Sequence, residues 1–250
     1  MKIENWKLKI VLITSASLLF AVHAEAGLIL NRPLYIGLES GLVGYWSFDG
    51  PDMAGVTAYD RSGQGNNGTL TNGPTRAIGR IGQALEFDGS NDFVDIGAGP
   101  TTVNTVAFWV YPRTTAEFFV NITGTTDYLS SSAGTISATG FSSPTIYVNG
   151  EVSSTLVANQ WQHVAVTTAT SENASNLDIG RTQDVDNMEG LIDDVRVYNR
   201  VLSQDEIKRL YKIGATLKLG VTPKDTLTNG LVGHWTFDGQ DMAGVKAYDR

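Results

Sequence analysis

The sequence predicts an all-β fold, an antiparallel double sheet closed by one short C-terminal helix. Two observations carry this. Short strand-like runs recur through the chain, about ten of them, with turn signals every ten residues or so. Only one segment, just after Leu202, has a clear helix signature. Composition agrees. The 250 residues include 27 glycines and only 18% charged side chains. Thr, Ser, Val and Asn abound, which suits half-buried strands joined by many turns.

Residues 1–26 have the layout of a signal peptide. Lys2, Lys7 and Lys9 make a basic start, residues 10–22 are an apolar run, and Ala24-Glu25-Ala26 has the form of a cleavage site. The run is shorter than the roughly 20 residues needed to span a bilayer. An exported protein, secreted or held at the cell surface, is expected. Residues 27–40 read as a leader or linker containing Pro33. A domain over 41–217 follows.

In that domain, residues 42–48 alternate, with Leu42, Gly44, Trp46 and Phe48 on one face and Val43, Tyr45 and Ser47 on the other. Residues 61–74 are rich in Gly, Asn and Ser and read as a loop. Residues 84–87 and 93–96 flank the turn Asp88-Gly-Ser-Asn-Asp92, a hairpin signal. Residues 105–111 are nearly all apolar and read as a central strand buried on both faces. Further strands are expected at 117–122, 135–139, 145–148, 161–168, 177–179 and 191–198. Ser203-Gln-Asp-Glu206 is a capping box, with Leu202 placed as a staple to Ile207. Ile207, Leu210 and Tyr211 then share one helix face.

The opening of the domain returns near the C-terminus. Residues 41–61 recur as 230–250 at a constant offset of 189, with all but four of 21 residues identical; the differences are Tyr45/His234, Ser47/Thr236, Pro51/Gln240 and Thr57/Lys246. Residues 218–229 read as a second linker, and 230–250 as the start of a second, truncated repeat. The chain is expected to be the front of a tandem array whose neighbouring repeats are partners. Residues 230–250 alone lack the partners of their first strand and are expected to be disordered or loosely docked.

Several function classes are disfavoured. A net charge of −8 argues against nucleic acid and anionic membrane surfaces. There is no cysteine, and 41–217 holds one histidine, His163, so zinc or haem ligand sets and a Ser-His-Asp triad do not assemble.

The segments 41–49, 82–96, 106–110, 147–150, 161–165 and 190–203 together resemble the laminin-G-like, concanavalin A-like jelly-roll domains of exported bacterial proteins. The resemblance implies a two-sheet jelly-roll sandwich, often with a structural calcium and sometimes glycan-binding. One departure stands out: Tyr147-Val-Asn-Gly150 precedes Trp161, whereas the family usually places this hairpin after it. Strand register in the middle third is therefore open. The jelly-roll glucanases of this fold carry Glu-x-Asp-x-x-Glu or Glu-x-Asp-x-Glu on one strand. Neither occurs here, so the domain is read as non-catalytic.

Calcium takes 6–8 oxygen ligands. The candidates are Asp49, Asp88, Asn91, Asp92, and Asp193 or Asp194. By resemblance to the glucanases, an acid on the last long strand, Asp193 or Asp194, joins the N-terminal region at such a metal. Adjacent residues on a strand face opposite ways, so one of the pair is expected to point at a given site. The alternative is that Asp49 and Asp88 form turns and Asp193 and Asp194 pair with Arg196 or Arg181. For glycan binding the candidates are Tyr128, Phe118, Tyr147 and Tyr111, with Asn121, Asp127 and Asn149 nearby. Trp46, Trp109 and Trp161 are expected in the core. The reading is a binding module for glycan or extracellular polymer. The alternatives are a structural spacer or adhesion module, or an accessory module of an enzyme whose catalytic domain lies beyond residue 250.

Overall fold

The computed structural model describes residues 37–216 apart from 125 and 183–185, and the strand residues 242–243 and 246–247. The expected signal peptide, residues 27–36 of the expected leader, the expected linker over 218–229 and residues 231–237 lie outside the described residues.

The strands run β1 (Leu42–Trp46), β2 (Met53–Ala54), β3 (Thr57–Ala58), β4 (Gly68–Thr71), β5 (Thr75–Ile78), β6 (Gln83–Asp88), β7 (Phe93–Gly97), β8 (Val103–Pro112) and β9 (Phe118–Asn121). Then come β10 (Tyr128–Ser132), β11 (Thr135–Thr139), β12 (Thr145–Val148), β13 (Glu151–Val152), β14 (Gln162–Glu172), β15 (Leu177–Ile179), β16 (Arg181–Thr182), β17 (Asp186–Asn187), β18 (Glu189–Tyr198) and helix α1 (Gln204–Thr216). The first sheet has the order β13-β12-β14-β8-β18-β6-β5, with β1 also paired to β18; the second has the order β11-β10-β9-β15-β7-β4-β3-β2. Every pairing within these two sheets is antiparallel. Among the described residues the all-β sandwich with one α-helix is therefore observed.

The main core lies between the sheets. Phe87, Phe108, Val166 and Val195 from the first meet Val94, Phe119, Leu129 and Ile179 from the second. The expected central strand is β8, held between β14 and β18. Its alternate residues divide between two layers: Val106, Phe108 and Val110 enter the main core, while Ala107 lies under the helix. That second layer joins Ile207, Leu210 and Ile213 of α1 to Ala107, Ala165, Tyr198, Leu202 and Leu38. The helix starts as its sequence requires. The Ser203 amide donates to Glu206 Oε2 (2.9 Å), and the Glu206 amide donates to Ser203 Oγ (3.4 Å).

Three local features depart from simple pattern reading. Pairing slips between Leu42 and Gly44. Leu42 consequently joins the helix-side cluster, while Trp46 and Phe48 enter the main core. Second, β4 lies inside the segment 61–74 that reads as a loop. Its Gly/Thr composition hides it, but Leu70 pairs with Val94 and packs on the core. Third, the displaced hairpin is accommodated at the edge of the first sheet. Val148 pairs with Glu151 across a two-residue turn in which Asn149 and Gly150 both have positive φ (54° and 84°), and β12 pairs with β14.

The C-terminal strands β19 (Met242–Ala243) and β20 (Lys246–Ala247) pair as Met242↔Ala247 and Ala243↔Lys246. At the sequence offset of 189 these are the counterparts of Met53↔Ala58 and Ala54↔Thr57 in β2–β3. The repeated sequence thus folds locally into the same hairpin.

Candidate functional site

The acidic candidates divide into three places. Asp49 and Asp193 meet at the turn that leads into β6. Asp49 Oδ1 accepts from the Gln83 amide (2.8 Å), and Asp193 Oδ2 accepts from the Arg80 and Ile81 amides (2.7 and 2.8 Å). Gly82 sits between them with φ +62°, and a Cβ there would lie 2.0 Å from Asp49 Oδ1. Burial dominates at Asp193. The Ile81 and Arg80 amides oppose it, the Asp194 and Asp49 charges add to it, and the pKa rises to about 8. Two buried oxygens here, Asp193 Oδ1 and Gln83 Oε1, have no hydrogen-bond partner.

Asp194 is elsewhere engaged. It has φ +52° at a bulge where β18 slips against β8. Because of the bulge, Ile192 and Val195, three apart, both face the main core, so Asp193 and Asp194 both turn to the outer side. The expected opposite facing of the two acids does not hold. Asp194 instead takes Arg196 Nε and Nη2, each at 3.1 Å. Asp88, Asn91 and Asp92 lie at the other end of β6, about 17 Å of strand away. There they tie the β6–β7 turn: Asp92 Oδ2 accepts from the Asp88 amide, Asp88 Oδ1 from the Ser90 amide, and the Asn91 carbonyl from Asn72 Nδ2. Among the described residues no three His, Cys, Asp or Glu side chains gather as a metal-binding group. A calcium ion at the β6 entry would use Asp49, Asp193 and Gln83 with backbone oxygens. The two orphaned buried oxygens fit that hard-cation chemistry.

The glycan candidates fall on both sheets. Tyr147 packs partly buried on the helix-side layer of the first sheet. Asn149 forms the β12–β13 turn and accepts from the His163 amide (3.0 Å). Of the other four, Phe118, Tyr128 and Asn121 lie on the outer face of the second sheet, and Asp127 lies in the turn between β9 and β10. Phe118 pairs with Ser130, and Tyr128 with Asn121. Phe118 and Tyr128 thus lie diagonally on adjacent strands, about 7–8 Å apart, and both are half-buried. The Ser130 and Ser137 hydroxyls lie beside them, 3.2 Å apart. Asn121 is fully buried, accepts from the Gly124 amide and donates to Asp178. Asp127 is held by the Thr123 and Thr126 hydroxyls. These two polar residues build the platform floor and rim. The helix covers the outer face of the first sheet; among the described residues no helix lies on this face, although Asn121 and Asp178 are buried there and Arg181 lies over the Phe93 ring.

Trp46 and Trp109 are buried as expected, but Trp161 is only half-buried. It lies just before β14 and meets Tyr111 edge-on, with ring centroids 5.8 Å apart. Pattern reading missed it because the β14 register places Trp161 beyond the rim of α1, and helix coverage is not legible in a strand motif.

Residues 133–208 match the family model Laminin_G_3, described as the concanavalin A-like lectin/glucanases superfamily. The matched segment runs from the turn before β11 into α1. No curated protein matches the chain. Among solved structures, the chain is similar to domain 4 of AbnA, an extracellular arabinanase from Geobacillus stearothermophilus, in complex with arabinotriose. That likeness has 18% identity, covers 68% of this chain and 98% of the other, and has a TM-score of 0.48. A second is the binding domain of Paraclostridial Mosquitocidal Protein 1, at 16% identity, 70% and 53% coverage, and a TM-score of 0.46. A third is Trypanosoma rangeli sialidase in complex with sialic acid, at 16% identity, 69% and 33% coverage, and a TM-score of 0.48. Among the described residues no helix is long and apolar enough to cross a membrane.

Proposed function

We propose that the domain is a non-catalytic glycan-binding module of an exported protein. The observation that carries this reading is the helix-free face of the second sheet. Phe118 and Tyr128 offer half-buried rings to the C–H face of a sugar, and the exposed Ser137 and the Tyr128 hydroxyl offer partners to its hydroxyls. The absence from the sequence of a paired-carboxylate strand motif supports binding over hydrolysis. A glycan array probed with the full chain and with Tyr128→Ala tests it. Binding by the parent that weakens about tenfold or more in the variant supports the reading. Equal binding by both, or none by either, overturns it.

Calcium enters this reading as a structural tie. Asp49, just after β1, and Asp193 on β18 come from opposite ends of the domain sequence, and a cation between them would fasten both to the β6 entry. Added calcium is expected to raise the melting temperature of the parent and not of Asp193→Asn. The same response in both would remove the cation from this position. The recurrence of the β2–β3 pairing in β19–β20 supports a second role, that of one module in a tandem array.

A further inference from the structure

A cleft of about 420 Å³ opens on the outer side of the first sheet, where β1 and β18 meet residues 38–39. It is on the opposite side of the sandwich from the Phe118–Tyr128 face. Leu38 and Leu42 give it an apolar wall, and Tyr45, Glu39, Arg61 and Arg196 supply its polar groups. Its volume and mixed lining are those of a small-ligand site.

Both arginines are braced from behind. Arg61 donates through Nη1 alone, to both oxygens of Asp52 (2.6 and 2.8 Å). Its side chain is 51% exposed, and nothing among the described residues accepts from its Nε or Nη2. That leaves the side-on Nε–Nη2 edge, the geometry that takes a carboxylate through two parallel bonds. Arg196 gives Nε and Nη2 to Asp194 and lays its guanidinium over the Tyr45 ring, 4.2 Å from the centroid. A fixed arginine loses less side-chain freedom on binding than a mobile one.

The charge balance narrows the ligand. Asp52 and Asp194 neutralise the two arginines, and Glu39 stands at the edge, so the cleft has no positive field to collect a polyphosphate or nucleic acid. What it offers is a directed fork for one carboxylate, a carboxylate acceptor for hydroxyls, and an apolar wall with an aromatic ring. A sugar acid presents that combination. We propose that this cleft binds a uronate residue of an acidic polysaccharide. The Arg61 edge takes its carboxylate, Glu39 accepts from its hydroxyls, and its C–H face lies on Leu38, Leu42 and Tyr45.

The test is calorimetric titration of the full chain with a galacturonate trisaccharide and with the same trisaccharide reduced at its carboxyl groups. The acid should bind at least tenfold more tightly than its reduced form. Arg61→Lys keeps the charge beside Asp52 and removes the fork. It should bind the acid at least tenfold more weakly while keeping the parent's melting temperature within a few degrees. Ile78→Ser, on exposed β5, is the control and should bind as the parent does. Equal affinity for acid and reduced sugar, no binding of either, or undiminished binding by a folded Arg61→Lys each overturns the proposal. A peptide with a free C-terminal carboxylate that binds more tightly than the uronate also overturns the sugar assignment. The reading of the Phe118–Tyr128 face is decided by a different variant and a different surface, so either can fail alone.

Discussion

Gly214 shows how one residue sets the height of a helix above a sheet. It lies inside α1, where glycine costs about 1 kcal/mol relative to alanine. A Cβ at this position would stand 2.6 Å from the Trp109 indole, which is itself buried. Gly214→Ala should therefore lower the melting temperature despite its better helix propensity, because an overpacked rigid ring costs about 1–3 kcal/mol. A rise in melting temperature would show that the helix shifts freely over Trp109. His163, beside the same indole, sets an acid limit. Burial dominates there and lowers its pKa to about 3, while Asp194 raises it and Arg196 lowers it. The folded chain thus resists a proton that the unfolded chain takes up below about 6.5. Stability is complete above that pH and falls toward pH 3, by up to about 1.4 kcal/mol per unit. His163→Phe should flatten this limb in urea titrations run between pH 6.5 and 4; an unchanged slope would assign the acid limit to another group. Nothing in the local sequence around Gly214 or His163 announces either role, because both depend on what a distant helix covers.

At the scale of elements, strands with strong alternation or unbroken apolar runs were legible. The expected 135–139, 145–148 and 177–179 coincide with β11, β12 and β15. The capping box at Ser203 was legible too, since it is read from four adjacent residues. Ser203→Ala should cost about 1 kcal/mol of stability, measured by chemical denaturation; no change would mean Glu206 and Arg200 hold the turn without it. Bulges were not legible. Asp194 looks like any strand residue, yet its positive φ turns two consecutive acids outward and separates their roles. β4 was hidden by its glycine and threonines, and pairing with β3 and β7 makes it a strand. Register and bulge position are fixed by partners far away in sequence, which local pattern does not contain.

For the whole molecule, the two sheets differ in what covers them. The first carries α1 on its outer side, so its aromatics become core except at the rim, where Trp161 and Tyr111 emerge. Among the described residues the second has no helix on its outer face, and Phe118, Tyr128 and Asn121 of the six ligand candidates lie there, while Asp127, Tyr147 and Asn149 do not. Sequence brought these residue types into view, but only the sheet order separated those on the helix-free face from those under a helix. The same holds for the metal candidates: of the six, Asp49 and Asp193 share a place, and Gln83, which pattern reading did not single out, joins them.

The central claim is that the Phe118–Tyr128 face holds sugar. The measurement that tests it most directly is a glycan array probed with the full chain and with Tyr128→Ala, in calcium and in chelator. The account expects binding by the parent and a loss of about tenfold or more in the variant, equivalent to about 1.4 kcal/mol. Chelator should act only as far as it lowers stability. A parent that binds no glycan, or a variant that binds as well as the parent, would contradict it.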